Sequence, residues 1–263
     1  MLRSMSIAAA LFTTTIALTA AQAPLGTRPD PLVRAGTTQQ VSDHVYIIPD
    51  NSVPLVPNVG IIVGATSVMV IDTGMGVRNG ETVLREAQKL AGAKPIAYLA
   101  TTHVHPEHDL GAAAFPTSTK LIRAQSEIDE IATDGLKVAD QFRAMSPLNA
   151  ELLKDAQFRK ADITFTDTYD VDLGGVKVHL QAVGFNHTKG DTVFFVEPDA
   201  ILFSGDTAMM RLPNITGQKE RAQHWLSTLD LLEAMKPTLI VPSHGPTGDV
   251  AFINAYRTYL RGI

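Results

Sequence analysis

Three of the eight histidines of this 263-residue chain fall within one short run, His103-Val104-His105-Pro106-Glu107-His108-Asp109. A spacing of two along an extended segment puts His103 and His105 on the same side of the backbone, so their imidazoles converge on one ion. Past Pro106 the chain bends, which offers Glu107 and His108 to a neighbouring position. Neutral imidazole with carboxylate suits zinc, and also iron or manganese. His187 and His244 stand in loops rich in Gly, Pro or Thr, and Asp206 closes the run Ser204-Gly205-Asp206. A carboxylate there could bridge two ions or cap the next helix. Asp109 reads as a support for a ligand, or as a carboxylate at the surface or a helix N-terminus. Ser204 and Ser243 read as turn residues. His44 reads as a surface residue, His179 as part of a strand, and His224 with Trp225 as part of a helix. Asn186, Lys189, Met209, Arg211 and the segment 137–150 could line a pocket beside these loops.

The elements that must position these groups are legible as runs. Val45 to Pro49, Val59 to Val63 and Val68 to Ile71 are β-branched and bounded by Gly, Asn, Asp or Pro, as strands are. Asp72-Thr73-Gly74-Met75-Gly76 turns the chain after the third of them. Glu81 to Leu90 has helical periodicity and ends at Gly92. Ile96 to Leu99 is a short apolar strand whose C-terminal end runs into His103, where open α/β sheets place their chemistry. Lys120 to Ile122 reads as a strand, and 126–143 and 147–156 as mainly helical. Phe165, Val171, Val176 to Leu180 and Val193 to Val196 alternate as antiparallel strands do, with Gly174-Gly175 as a turn. Ile201 to Phe203 leads into Asp206, Glu220 to Met235 is an amphipathic helix, Thr238 to Val241 leads into His244, and about 248 to 260 is helical. The pattern predicts two sheets face to face with helices outside.

Taken in order, these motifs resemble those of the metallo-beta-lactamase superfamily. Its members carry His-x-His-x-Asp-His, a later His in a Gly-His-Thr-x-Gly-Asp-like segment, Ser/Thr-Gly-Asp and a final His-Gly. This chain offers His103, His105, Glu107 and His108, then His187 before Thr188, Gly190 and Asp191, then Asp206, then His244 before Gly245. Asp72 matches the early Asp-x-Gly turn. The resemblance spans about residues 41–250. It implies an α/β fold, the αββα sandwich of two mixed β-sheets flanked by helices, with the site at one sheet edge. It implies that His103, His105 and His187 hold a first metal, and that His108 and His244 hold a second with Asp206 bridging. Glu107 stands where the family has Asp, longer by one methylene, as a ligand of the second metal or as the catalytic group that orients a water. The metal count, one zinc or two, turns on its reach.

Composition bounds the rest. Apolar residues make up 45% and charged residues 19%, ordinary for a globular chain. The formal charge of −5, without a basic patch, argues against nucleic acid as partner and leaves a small-molecule substrate. There is no cysteine, which excludes a thiolate nucleophile and Cys-bound zinc. Residues 1–23 read as a signal peptide: Arg3, an apolar stretch from Ile7 to Ala21, then Ala21-Gln22-Ala23 before Pro24. The expected organisation is this signal peptide, an irregular arm over 24–40 and one catalytic domain over 41–263. The destination is the periplasm or the exterior, with no membrane segment after cleavage.

The resemblance implies a hydrolase in which zinc brings the pKa of a bound water toward neutrality. A cyclic amide or ester is the expected target, with β-lactams first. The alternatives are a lactonase or thioesterase of glyoxalase-II type, a zinc hydrolase accessory to quinoprotein oxidation, and a non-catalytic metal-binding protein. The fold by itself chooses none of these.

Overall fold

A computed structural model describes residues 29–209 and 219–262; the expected signal peptide and Arg211 lie outside the described residues. The first sheet runs β1 (Gln39–Gln40), β2 (Val45–Ile48), β3 (Val59–Val63), β4 (Val68–Ile71), β5 (Ile96–Ala100), β6 (Lys120–Ala124) and β7 (Ile163–Phe165), in that spatial order. Its first four strands pair antiparallel and its last four parallel. The second sheet contains β8 (Thr168–Asp172), β9 (Lys177–Gly184), β10 (Asp191–Val196), β11 (Ile201–Gly205) and β12 (Leu239–Pro242), ordered β12-β11-β10-β9-β8. There only β11 and β12 are parallel.

Three apolar layers hold the sheets and helices together. Between the sheets, Val45, Ile47, Met69 and Ile71 pack against Val178, Leu180, Phe194 and Phe203. On the outer face of the first sheet, Ile61, Val70, Leu99 and Leu121 meet Val83, Ala87 and Ala91 of α1 (Gly76–Ala91). On the outer face of the second, Val193, Leu202 and Ile240 meet Trp225, Leu229 and Leu232 of α6 (Lys219–Ala234), with Ile253 and Tyr256 of α7 (Val250–Gly262). This is the expected αββα sandwich. The remaining helices, α2 (Pro106–Asp109), α3 (Gln125–Glu130), α4 (Leu136–Arg143) and α5 (Pro147–Leu152), lie in the connections of the first sheet. Among the described residues, no helix is long and apolar enough to cross a membrane.

The structure departs from the sequence reading in several places; the expected 147–156 helix, for one, stops at Leu152. The last part of the expected arm forms β1, because Gln39 and Gln40 pair with Ile47 and Tyr46. Phe165 belongs to the first sheet and not with the antiparallel strands after it; Ile163–Phe165 lies parallel to Ile122–Ala124. Alternation marks a strand without saying which sheet receives it. The 126–143 helix begins at Gln125 and contains one wide turn, Ile131–Gly135, before α4. Helix α1 begins five residues before Glu81, at Gly76, which reads as part of the preceding turn, and runs through Gly80.

Those glycines answer to close packing. A Cβ at Gly80 would stand 2.0 Å from the Gly111 carbonyl oxygen, and one at Gly111 would stand 2.4 Å from that of Thr73. Helix α1, the turn after β4 and the 3-10 turn that follows α2 therefore meet backbone to backbone, which fixes the histidine-bearing helix to the sheet edge. Gly80→Ala is expected to destabilise the protein by about 1–3 kcal/mol through overpacking, read as a lowered urea midpoint with an unchanged m-value.

Candidate metal centre

All the candidate ligands arise where strands end at one edge of the sandwich. Strand β5 ends at Ala100 and delivers His103; β9 ends before His187; β11 ends before Asp206; β12 ends before His244. Pro106 opens α2 at its first position, where its missing N–H costs nothing. His105 is the extended residue before it, so His105 and His108 flank one helical turn.

The seven candidate residues meet in three overlapping groups. Ligand-type atoms of His103, His105 and His187 lie within 4.8 Å of one another, as do those of His103, His108 and Asp206, and those of Glu107, His108 and His244. Glu107 thus does reach the second group, with Oε1 3.8 Å from His108 Nε2. His187 Nε2 stands 3.2 Å from His105 Nδ1 and 3.3 Å from Asp206 Oδ2. Two ligands about 2.05 Å from a tetrahedral zinc stand roughly 3.3 Å apart. His103 Nε2, His108 Nε2, Glu107 Oε2 and Asp206 Oδ1 are buried without a hydrogen-bond partner. Buried polar atoms are otherwise nearly always paired. Donors of the right kind, left unpaired at the spacing of metal ligands, fit a divalent cation.

Hydrogen bonds to the far sides of the rings point these atoms inward. His108 Nδ1 donates to Asp72 Oδ2 at 2.9 Å, and His244 Nδ1 donates to the Val56 carbonyl at 2.9 Å. Thr102 Oγ1 donates to Asp72 Oδ2 at 3.0 Å, so it accepts from His103 Nδ1, also at 3.0 Å. In its neutral form each of these imidazoles is thereby held in the tautomer whose Nε2 lone pair faces the cluster.

The electrostatics of the first group agree. Burial, and then its histidine neighbours, hold His103 well below its ordinary pKa and His105 at about 3, so these rings are neutral. His187 is lowered by burial as well. Burial alone would lower His108, but the carboxylates of Asp72, Glu107 and Asp206 outweigh it and raise the ring to about 9, so a cation that takes its Nε2 must displace a proton. Burial would raise Asp206, yet the imidazoles of His244, His187, His108 and His105 hold it at about 2. Burial raises Glu107.

The other sequence candidates divide plainly. Asp109 is fully buried and forms a two-pronged ion pair with Arg123, whose Nη1 also donates to Thr101 and Glu127. His44 pairs with Asp199, His179 with Asp170, and His224 Nε2 with the Val183 carbonyl, all away from the cluster. Met209 packs in the core of the second sheet, and Lys189 pairs with Asp134. Ser204 donates to the Ala208 carbonyl, as a turn residue does. Ser243 donates to Asp72 at 3.4 Å, which ties the His244 loop to the carboxylate behind His108.

Sequence reasoning missed four supports: Arg123, Glu127, Glu130 and Arg221. Arg123 had a signal, a charge inside the apolar strand Leu121-Ile122-Arg123-Ala124. The others lie on helices, where a charge is ordinary. With Asp72 behind both His108 and Thr102, Asp72→Asn is expected to weaken zinc binding about 10–100-fold. Chelator competition on the purified protein measures this, with circular dichroism as the check that the fold is kept.

Comparison with known proteins places this site. The family model of the metallo-beta-lactamase superfamily matches residues 53–244. The chain is 26% identical over 210 residues to the linear primary-alkylsulfatase of Pseudomonas sp. (strain ATCC 19151), which covers 67% of this chain and 39% of that protein. It therefore spans about two fifths of that relative's length. It is similar to a metallo-beta-lactamase from Pontibacter korlensis, at 19% identity and a TM-score of 0.65 over 86% of this chain and 99% of the other. It is also similar to the stereoselective inverting sec-alkylsulfatase Pisa1 from Pseudomonas sp., at 17% identity and a TM-score of 0.66 over 85% of this chain and 40% of that one. At such identities these two likenesses speak for the fold alone. The family match covers most of the chain and contains the whole histidine cluster, so the chain belongs to the metallo-beta-lactamase superfamily, whose members are metal-dependent hydrolases.

Proposed function

We propose that the chain is an exported two-metal hydrolase acting on an ester or cyclic amide of a small molecule, with zinc as its metal. The observation that carries this reading is the set of four unpaired buried ligand atoms, on His103, Glu107, His108 and Asp206, inside a cluster of five imidazoles. His103, His105 and His187 would hold one ion. His108, His244 and Glu107 would hold the other, with Asp206 between them. Divalent ions there would acidify a water toward neutral pH and polarise the bond to be cleaved. Glu107 Oε2 has no partner, so it would be free to orient the attacking water and to take up its proton. His105 lies against the Phe142 ring, centroids 5.7 Å apart, which walls this side of the site with an apolar surface.

β-Lactam ring opening is the first substrate reading, and lactones and thioesters are the neighbouring ones. A second reading, hydrolysis of an alkyl sulfate ester, is favoured by the sequence match to a linear primary-alkylsulfatase. Zinc-loaded protein assayed against a chromogenic cephalosporin, a lactone, a thioester and a medium-chain alkyl sulfate separates them. Turnover of one class, abolished in His103→Ala together with metal uptake, is the expected result. Fully metallated protein inert on all four would sink the hydrolase reading and leave a metal-binding protein. Metal analysis that finds no transition metal would sink the metal centre itself.

Export rests on residues 1–23. Intact-mass measurement of protein recovered outside the cytoplasm is expected to place the mature N-terminus at Pro24. A mass that retains Arg3 would refute cleavage.

A further inference from the structure

The loop between β9 and β10 carries His187 and is held by charged side chains from three directions. Asp191 accepts hydrogen bonds from the backbone amides of His187 (2.6 Å) and Thr188 (3.0 Å), and from the Thr188 hydroxyl (2.6 Å). Glu130, at the end of α3, accepts from the amides of Lys189 (2.8 Å) and Gly190 (2.9 Å). Two carboxylates thus take the loop's N–H groups. Its carbonyls go to a cation: Arg221, in the first turn of α6, donates from Nε to the Asn186 oxygen and from Nη2 to the His187 oxygen. The same guanidinium lies over the Phe185 ring, 4.8 Å from its centroid.

We propose that Arg221 is a positioning residue for the metal centre. By clamping the carbonyls before and after His187, it sets the His187 imidazole within reach of His105 and Asp206. The inference rests on the metal-centre reading above.

Two carbonyls one residue apart match the fork of a guanidinium, whose plane also stacks on Phe185. A lysine ammonium could serve one carbonyl but neither the second nor the stack. The clamp is separable from the anchorage of its helix. Helix α6 is docked by Trp225, Leu229 and Leu232, all fully buried, while Arg221 is only half-buried at the helix start. Removing Arg221 therefore releases the loop without undocking the helix. His103 and His105 are anchored elsewhere, after β5 and before α2, so the loss concerns the third nitrogen of the first group.

The test is metal affinity, measured by chelator competition with zinc and by the visible absorption of the cobalt(II) protein. Arg221→Ala is expected to weaken one of the bound ions about tenfold or more, while the melting temperature of the metal-free protein stays unchanged. Arg221→Lys should recover part of the loss. In a His187→Ala background, Arg221→Ala should add nothing, because the group it positions is gone. Zinc affinity of Arg221→Ala within twofold of the wild type would overturn the clamp. So would an equal loss with and without His187, or a metal-free melting temperature that falls in step with affinity. Failure of the wild-type protein to take up metal would overturn the metal centre, and the clamp with it; normal uptake that is indifferent to Arg221 would overturn the clamp alone.

Discussion

The Asp72 carboxylate is the contact on which the site's geometry turns. It accepts from the Thr102 amide at 2.8 Å, the Thr102 hydroxyl at 3.0 Å, His108 Nδ1 at 2.9 Å and the Ser243 hydroxyl at 3.4 Å. Those donors come from the end of β5, from α2 and from the loop after β12, so one buried side chain registers both sheets at the site edge. The residue stands at φ 64°, in the left-handed region that Asp tolerates better than most side chains. Its neighbours Gly74 and Gly76, at φ 80° and 73°, complete a turn that branched residues would not follow.

The same arrangement explains how so many ligands are stored together. Five imidazoles and two carboxylates crowded into one cluster repel or attract strongly if charged. Burial keeps the first group neutral, while Asp206 stays ionised among the rings. Hydrogen bonds to Asp72, Thr102 and the Val56 carbonyl use up the outer nitrogens of His108, His103 and His244, so the inner ones have nothing left to bind except a cation or a water. The His187 loop follows the same rule at the backbone level, with carboxylates taking its amides and a guanidinium taking its carbonyls. Behind α2, Arg123 joins Asp109 and Glu127 in a buried ion network, where removal of Arg123 would leave buried carboxylates without their cation.

Much of this was legible along the chain. The β-branched runs from Val45, Val59 and Val68, and the short run from Ile96, each became a strand at nearly the expected bounds. Strands β3 and β4 are buried on both faces, so they read as continuous β-branched runs between turn residues. The strand at Phe165 was visible, but its place in the first sheet was not, since side-chain alternation carries no information about the neighbouring strand. The start of α1 was hidden because Gly76 and Gly80 are poor helix formers, and only the close approach of Leu152 and Gly111 shows why they are there. Arg221 and Glu130 were invisible as supports, because a charge on a helix is ordinary until its partner across the fold is known.

The sequence by itself determined the fold family and the kind of chemistry. Ligand-type residues placed just beyond strand ends, in a fixed order, leave few other uses for these five histidines. It also posed the question of Glu107 without answering it, because a reach longer by one methylene helps or misses according to where the backbone stands. Only the tertiary structure decided that the carboxylate meets His108 and His244, and that Asp206 lies between the two groups. It alone showed that Asp109 faces Arg123 and not the cluster. The reason is common to all three: identity and spacing set which atoms a segment can offer, whereas the direction in which they are offered depends on contacts between segments far apart in the chain.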